Sequence, residues 1–589
     1  MGKDIIRKTG QFLASAKVEV TKAGDYDIYP AFSIGAGKIS DNFYEIIEYI
    51  IENKSVIIDG YEGVFWDKLE KSITKKLKKL GVSFVWQSVE SAMLSPEEIE
   101  VMIAPYMGER DSIFGKITDK NLIDWFDLEK LNKIRPTKEA TINILAGCGA
   151  ALANWEAPLI YIDLPKNELQ FRMRAGSAFN LGSNKQLDNR IAYKRAFFID
   201  WIALNKHKAE ILPHITMIID GQRPDQLLFM TGENLREGLK SMSENFIRVR
   251  PWFEPGAWGG QWIKEKIKGI NKDVDNLAWS FELMVRENGV MFESDNYRLE
   301  VSFDFLMYQN YKEILGIDAE RFKYDFPIRF DFLDTIEGGN LSVQCHPTEE
   351  YIKKEFGMPF TQDETYYILD CKEGAEVYLG LQDDVEAENF EKVLINSAES
   401  GNKIDIFRYV QHHPAKKHDL FLIPNGTIHA SGKNNMVLEI SSAPYIFTFK
   451  MYDWQRLDLD GRPRPLNILH GMKNLNFDRK GAKVGAELLC KPQQVEKNAD
   501  FILEQLPTHP VQFYDIQRYT LTTEITVETG NKCQVWMLVE GKSVIVETQS
   551  GRKQRFNYVE TFVIPAAAMS YKISNESDLP AILVKAYIK

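Results

Sequence analysis

Four side chains in the second half of the chain have the types and the spacing of a metal site. Residues 341–346 alternate between apolar and polar, which predicts a strand with Gln344 and His346 on one face. Glu364 opens a second predicted strand, and His429 follows an Asn-Gly turn. Two imidazoles, a carboxylate and an amide oxygen suit zinc or a similar divalent ion. A single histidine on a strand is more often an ordinary polar residue, so the prediction depends on all four.

The segments around these residues resemble a known family. SVQCHP, DETYYILD and IPNGTIHA are similar to motifs of the class I mannose-6-phosphate isomerases, which are zinc-dependent cupins, and the likeness runs from about Trp252 to the C-terminus. It implies one Zn²⁺, or another divalent ion, per chain. The ligands that it implies are Gln344, His346, Glu364 and His429. It also implies an aldose–ketose isomerase that interconverts mannose 6-phosphate and fructose 6-phosphate through an enediol.

The same resemblance bears on three more residues, and Arg456 is a further candidate for phosphate binding. Glu439 matches a carboxylate proposed for proton transfer, although an ordinary strand carboxylate is an equal alternative. Lys450 stands where short bacterial members carry an arginine, and Gln362 stands where they carry a lysine. We therefore assign Glu439 and Lys450 to catalysis, and Gln362 and Arg456 to substrate binding. The two departures leave an alternative open, a metal-bearing sugar sensor or binding protein without turnover, or an isomerase of a different sugar.

The first 245 residues predict a different architecture. Short apolar strands at 55–60, 142–145, 159–163 and 215–220 alternate with amphipathic helices, which indicates an α/β domain with a mainly parallel sheet. This layout is similar to that of the P-loop kinases of the uridine-kinase type.

The kinase resemblance lacks the residues that phosphoryl transfer requires. Counted from Gly60, the position of the phosphate-binding lysine is Trp66, and Asp67 follows it. Arg172 and Arg174 lie in a segment that looks like the lid of these kinases, while Lys38 in a separate Gly-rich run is another source of charge. We expect a kinase-like domain without kinase activity.

The chain is too long for one core, so we predict a multidomain protein of 589 residues. An α/β kinase-like domain is expected at 1–245 and a metal-binding cupin isomerase domain at 246–475. Short strands recur from 513 onward, which predicts a second cupin or jelly roll at 476–589. Because this last domain carries no ligand cluster of its own, we expect it to be structural.

The amino-acid composition argues against some classes of binding partner. A net charge of −12 argues against general nucleic-acid binding, and no apolar stretch approaches the ~20 residues of a membrane-spanning helix. The first residues lack the apolar segment of a secretory signal, and the five cysteines suggest no disulfide framework. We predict a cytoplasmic protein that binds a small sugar or sugar phosphate but neither nucleic acid nor a membrane. The sequence leaves the oligomeric state open.

Overall fold

The computed structural model describes residues 5–109, 113–442 and 447–589, and its strands form six sheets. Within these ranges, no helix has both the length and the apolar character needed to cross a bilayer. The sheets fall into three regions along the chain, each with its own architecture.

The first region is built on a six-stranded sheet with the order β3-β4-β2-β5-β6-β7. Five strands are parallel and β7 alone is antiparallel, in agreement with the predicted mainly parallel sheet. The strands are β1 Ala31–Ser33, β2 Ser55–Gly60, β3 Phe84–Ser88, β4 Ile142–Ala146, β5 Leu159–Asp163, β6 Ile215–Asp220 and β7 Leu228–Thr231. The helices are α1 Phe43–Asn53, α2 Trp66–Lys79, α3 Pro96–Ile103, α4 Leu128–Lys133, α5 Lys166–Ala175, α6 Asn189–Arg195, α7 Trp201–Ile211 and α8 Gly232–Ser243.

Helices α1 and α2 cover one face of this sheet because their apolar residues repeat at helical spacing. Helix α2 buries Leu69, Ile73 and Leu77, four residues apart, while its lysines stay in solvent. These leucines and isoleucines share one apolar core with the isoleucines of β2, β4 and β5. The sheet is therefore a packed scaffold whose strand ends can position polar groups.

The second region contains two antiparallel sheets and a separate hairpin. The sheets have the orders β17-β14-β19-β12-β9-β8 and β16-β15-β18-β13-β20. The strands are β8 Trp252–Glu254, β9 Trp279–Leu283, β10 Gly289–Ser294, β11 Tyr297–Ser302, β12 Arg329–Asp334, β13 Val343–Cys345, β14 Asp363–Cys371, β15 Glu376–Leu381, β16 Val410–Pro414, β17 Leu420–Ile423, β18 His429–Ser431, β19 Asn435–Ser442 and β20 Phe449–Tyr452. The helices are α9 Trp262–Lys266, α10 Asp304–Leu315, α11 Ala319–Phe322, α12 Glu349–Phe356, α13 Ala387–Ser400, α14 Ile468–Asn474 and α15 Ala482–Glu487.

The third region pairs two further antiparallel sheets, with the orders β21-β22-β23-β30-β25-β28 and β24-β29-β26-β27. Its strands are β21 Gln493–Lys497, β22 Phe501–Leu506, β23 Tyr514–Leu521, β24 Glu524–Glu528, β25 Gln534–Glu540, β26 Ser543–Thr548, β27 Lys553–Asn557, β28 Thr561–Ile564, β29 Ser570–Asn575 and β30 Ala581–Ile588. This region braces the second one, since Gln512 Nε2 donates to the backbone oxygen of Glu364 (2.8 Å) and Tyr514 Oη donates to that of Ile440 (2.8 Å).

The hairpin of β10 and β11 joins the first two regions. Strand β1 pairs in parallel with β10, although the two lie on opposite sides of the domain boundary predicted near residue 246. The carboxylate of Asp163, at the end of β5, accepts hydrogen bonds from the backbone nitrogen (2.6 Å) and the hydroxyl (2.7 Å) of Ser302. Asp220, at the end of β6, accepts from the backbone nitrogen of Glu300 (3.2 Å). Strand β11 therefore seals the carboxyl edge of the parallel sheet.

This junction yields a stability prediction. The Lys208 ammonium lies 2.8 Å from Asp163, and both side chains are fully buried. Replacing one partner of a buried ion pair leaves an uncompensated charge, at a cost of about 3–5 kcal/mol. Asp163→Ala should therefore lower the midpoint of urea denaturation of the full chain strongly. Asp384→Ala, which removes the solvent-exposed partner of Arg408, should leave the midpoint unchanged. Equal midpoints for both variants would contradict the argument.

Candidate functional site

Three of the four predicted metal ligands converge on one oxygen atom. Oε2 of Glu364 contacts Nε2 of His346 and lies 3.5 Å from Nε2 of His429. All three side chains are buried, and their candidate ligand atoms lie within 4.8 Å of one another. Strands β13, β14 and β18 carry these residues, so the cluster joins both sheets of the second region.

Sheet register places the fourth predicted ligand beside them. In β13, Gln344 pairs with His429 of β18 on one side and with Lys450 of β20 on the other. Paired residues on neighbouring strands point to the same face, so these three side chains form a row. The Gln344 amide nitrogen lies 3.4 Å from Nε2 of His429, and rotating the amide by half a turn would place its oxygen there. The strand is shorter than the predicted 341–346, yet its facing is as predicted.

The hydrogen bonds of the two imidazoles match the needs of a cation. Nδ1 of His346 lies 3.0 Å from the backbone oxygen of Phe447, and Nδ1 of His429 lies 2.9 Å from that of Thr427. A carbonyl only accepts hydrogen bonds, so Nδ1 carries the proton and a neutral ring turns its Nε2 lone pair toward Glu364. The second Glu364 oxygen, Oε1, is buried without a hydrogen-bond partner. Lone pairs and a carboxylate that face each other in a buried space fit a divalent ion.

A positive charge beside Glu364 favours its anionic form, which a metal requires. Burial raises the pKa of Glu364, but the positive charge of His346 and His429 in their protonated forms lowers it by more, so its pKa lies well below the ordinary value. A bound cation would supply positive charge at the same place when the rings are neutral. Cys345 contributes nothing to this cluster. It lies between Gln344 and His346 on the other face of β13, where its thiol meets the backbone oxygen of Gly471 at 3.7 Å.

A second polar row lies on the facing sheet. Register pairs Asp331 of β12 with Glu439 of β19, and the Arg329 guanidinium donates to both carboxylates, at 2.5 Å to Glu439 and 3.2 Å to Asp331. Burial raises the pKa of Glu439 well above its usual range, and Asp331 and Glu364 add to the shift against the opposing charge of Arg329. Burial likewise raises the pKa of Asp331 to about 7, where Arg329 opposes the shift and Glu364 adds to it.

Sequence reasoning missed Arg329 and Asp331. The signal was present, because these charged residues alternate with Ile328, Phe330 and Phe332 in a strand and must share one face. Pairing with Glu439 depends on strand register, which that alternation does not specify.

A cavity of about 470 Å³ connects the two rows. Of the residues assigned from the sequence, Gln344, Gln362, Glu439 and Lys450 line it. Arg329, Asp331 and Arg464 line it as well, together with residues of helices α5 and α6 from the first region. Burial is the main cause that lowers the pKa of the Lys450 ammonium to about 8, and the positive charge of Arg464 is the second. The cavity thus holds a metal donor, buried carboxyl groups and cationic side chains together.

The two residues assigned to substrate binding lie in different surroundings. Gln362 lines the cavity, and its side-chain oxygen accepts from the backbone nitrogen of Phe447 (3.2 Å), whose carbonyl holds His346. Arg456 is absent from the described lining, because its guanidinium is held by Asp453 and by the backbone oxygen of Asn340. Arg464, which sequence reasoning missed, donates to Asp453 (2.6 Å) and to Ser342 (3.0 Å) inside the lining.

The loop that resembles a phosphate loop is occupied by protein groups. Near the end of β2, Asp59 accepts from the backbone nitrogens of Gly149 (2.9 Å) and Ala151 (2.9 Å), both in the loop after β4, and contacts His207 (2.8 Å). Arg172, from the predicted lid, donates to the backbone oxygen of Gly63 in the loop after β2 at 2.7 Å. Protein groups therefore bind to each other at this end of the sheet. Lys38 pairs with Glu237 (2.8 Å).

The metal assignment predicts that removing one ligand lowers the metal content of the purified protein. His346→Ala removes an imidazole that no neighbour replaces, so the variant should bind divalent metal more than ~10-fold more weakly than the wild type. Cys345→Ala is the matched control on the adjacent position and should retain metal. Elemental analysis after purification and dialysis measures both. Equal metal content in the two variants would refute the assignment.

The residues at the predicted phosphate loop argue against ATP turnover by the first region. Trp66 stands at the position predicted for the phosphate-binding lysine, and the negative charge of Asp67 beside it opposes anion binding. We expect the full-length chain to release no phosphate from ATP above the buffer background, with or without sugar. Release of phosphate that is lost in the Lys38→Ala variant would show instead that Lys38 supplies the missing charge.

Comparisons with known proteins divide the chain at a similar place. Residues 42–244 match the model of a domain of unknown function, DUF8485. Mannose-6-phosphate isomerase ManA of Bacillus subtilis is 27% identical over 228 residues, which is 38% of this chain and 67% of the relative. The B. subtilis protein named probable mannose-6-phosphate isomerase GmuF is 31% identical over 226 residues, 38% of this chain and 66% of the relative.

Solved structures give a related result. The crystal structure of mannose 6-phosphate isomerase from Bacillus subtilis matches with 19% identity and a TM-score of 0.47, covering 58% of this chain and all of that one. From the sequence relatives we conclude that about 38% of the chain is homologous to mannose-6-phosphate isomerases.

Proposed function

We propose that the chain is a metal-dependent aldose–ketose isomerase that interconverts mannose 6-phosphate and fructose 6-phosphate. One observation carries the proposal: Gln344, which lies 3.4 Å from His429 of the buried His-Glu-His cluster, and the buried acid Glu439 line a single cavity. The relatives that match about 38% of the chain are named for the same reaction.

Zn²⁺ is the ion that we propose for the cluster, with Gln344, His346, Glu364 and His429 as its ligands. Two nitrogen and two oxygen donors are a set that zinc accepts. The buried Glu364 oxygen without a partner and the two orientated Nε2 atoms support a cation at this position. When bound, a divalent ion supplies Lewis-acid stabilisation to the sugar oxyanion that develops as the carbon-bound proton leaves.

The protein groups must move a proton between C1 and C2 of the sugar. Glu439 is our candidate for this step, with Asp331 as its partner. Burial gives both carboxyl groups pKa values above the ordinary range, with Asp331 at about 7, and a proton acceptor works best when its pKa is near the working pH. Arg329 keeps Glu439 in position through its 2.5 Å hydrogen bond.

Lys450 and Gln362 serve binding in this proposal. The Lys450 ammonium lies beside Gln344 in the sheet, so it can bind an anionic oxygen of a sugar that also approaches the metal ligands. Gln362 has a neutral amide, which can hydrogen-bond a hydroxyl while its other contact holds Phe447.

A coupled assay tests the reaction. The full-length protein should convert mannose 6-phosphate to fructose 6-phosphate, and a chelator should abolish turnover until divalent metal is restored. Glu439→Gln should lower kcat by roughly 10²–10⁴-fold, the usual contribution of a positioned acid or base, with metal content unchanged. Glu388→Gln on the exposed face of α13 is the matched control and should retain full activity.

Absence of turnover on phosphorylated and free aldoses, in a protein that holds its metal, would refute the proposed reaction. That result would favour the alternative, a metal-bearing sugar sensor or binding protein.

A further inference from the structure

Two helices of the first region form a wall of the proposed active-site cavity. Gln170 and Arg174 of α5, and Arg190 and Tyr193 of α6, line the same cavity as Gln344 and Glu439. These helices lie within the 42–244 segment that matches a domain of unknown function. The domain thus contributes side chains where the isomerase strands alone would leave the cavity open on that side.

Polar contacts hold this wall in place. Glu287, just after β9, accepts from the Gln170 amide (2.6 Å) and the Tyr193 hydroxyl (2.6 Å). Arg174 donates to Glu254 of β8 at 2.7 Å. Glu287 is buried, so its contacts order both helices against the second region.

Most cationic side chains on the lining already have a carboxylate partner. Arg174 is paired with Glu254, Arg329 with Glu439 and Asp331, and Arg464 with Asp453. Among the described residues of the lining, Arg190 and Lys450 are the cations without a carboxylate at hydrogen-bonding distance.

Arg190 and Lys450 make no side-chain hydrogen bond to any described residue. The carboxylates nearest to the Arg190 guanidinium, Asp460 and Asp188, stand off at 3.8 and 3.9 Å. These are distances for weak, partly solvated attraction. Arg190 and Lys450 line the same cavity. Asp458 also lies on the lining, and its negative charge repels an anion. Anion binding in this part of the cavity therefore depends on the positive charges of Arg190 and Lys450.

We propose that Arg190 and Lys450 together bind the phosphate group of the sugar, so that the N-terminal domain is part of the substrate site. The inference rests on the proposed function and adds a binding residue from the segment that matches DUF8485. A lysine presents a point charge, whereas an arginine presents a planar fork that binds two phosphate oxygens at once. One cation of each kind, from two different regions of the chain, suits a phosphate that must be held while the sugar end meets the metal ligands.

The first test replaces the Arg190 guanidinium with a neutral amide and is expected to preserve the fold. Arg190→Gln should raise the KM for mannose 6-phosphate roughly 10-fold or more, since a hydrogen bond to a charged group contributes about 1.5–3 kcal/mol. Its kcat should stay within about twofold, because among the described residues its side chain makes no hydrogen bond or ion pair with Glu439 or Asp331. Arg190→Lys should recover part of the loss. Lys185→Gln, an exposed cation shortly before α6 and outside the lining, should leave the KM unchanged.

Calorimetry with inorganic phosphate gives a readout that does not need turnover. The full-length wild type should bind phosphate competitively with the sugar phosphate, and Arg190→Gln should bind it roughly 10-fold more weakly. If the wild type turns over mannose 6-phosphate while Arg190→Gln keeps both its KM and its phosphate affinity, this inference is wrong and the proposed function stands. If the wild type shows no turnover, the proposed function fails, and the two phosphate affinities still decide the role of Arg190.

Discussion

The meeting of Glu364 with two imidazoles is the constraint around which the second region is organised. Three buried groups present lone pairs or negative charge to one another, and such an arrangement is costly in a protein interior unless a cation compensates it. Their supporting hydrogen bonds come from backbone oxygens of Phe447 and Thr427, and Gln362 in turn holds Phe447. The third region adds a further brace at the Glu364 backbone. Residues from well-separated segments of the chain therefore surround or support this one cluster.

In the first region, protein groups occupy the edge of the parallel sheet at which ligands of such sheets usually bind. Ligands of open α/β sheets bind beyond the carboxyl ends of the strands. Here Asp59, Asp163 and Asp220 occupy those ends, and protein donors satisfy each of them. Strand β11 closes the same edge, so the surface that would meet a nucleotide instead joins the first region to the second. The likeness to uridine-type kinases stays a prediction, while the parallel sheet itself is observed.

This packing changes what the N-terminal domain can contribute to chemistry. Helices α5 and α6 leave the sheet on the side of the isomerase strands, and their side chains complete the cavity there. Arg174, which the sequence placed in a lid-like segment, lies beside Glu254 of the second region. This segment is here part of the wall of the cavity. The cavity has charged groups from both regions and buried surroundings, in which their interactions are stronger than in water.

The amino-acid sequence by itself indicated the strands of the candidate site, the facing of their side chains and the candidate metal donors. Alternation at 341–346 puts Gln344 and His346 on one face whatever else surrounds them, because a strand has a side-chain period of two. Apolar runs between helices were enough to indicate the parallel sheet of the first region.

Tertiary structure decided the rest, because it depends on strand register and on packing between distant segments. Register brings Asp331 opposite Glu439 and Lys450 opposite Gln344, and local alternation does not specify which strands pair. Arg464 lines the cavity and Arg456 does not, although both donate to Asp453 and lie close in sequence, since a loop rather than a periodic element carries them. The part that α5 and α6 play in the cavity follows from the docking of β11 on the sheet edge, a contact between segments more than a hundred residues apart.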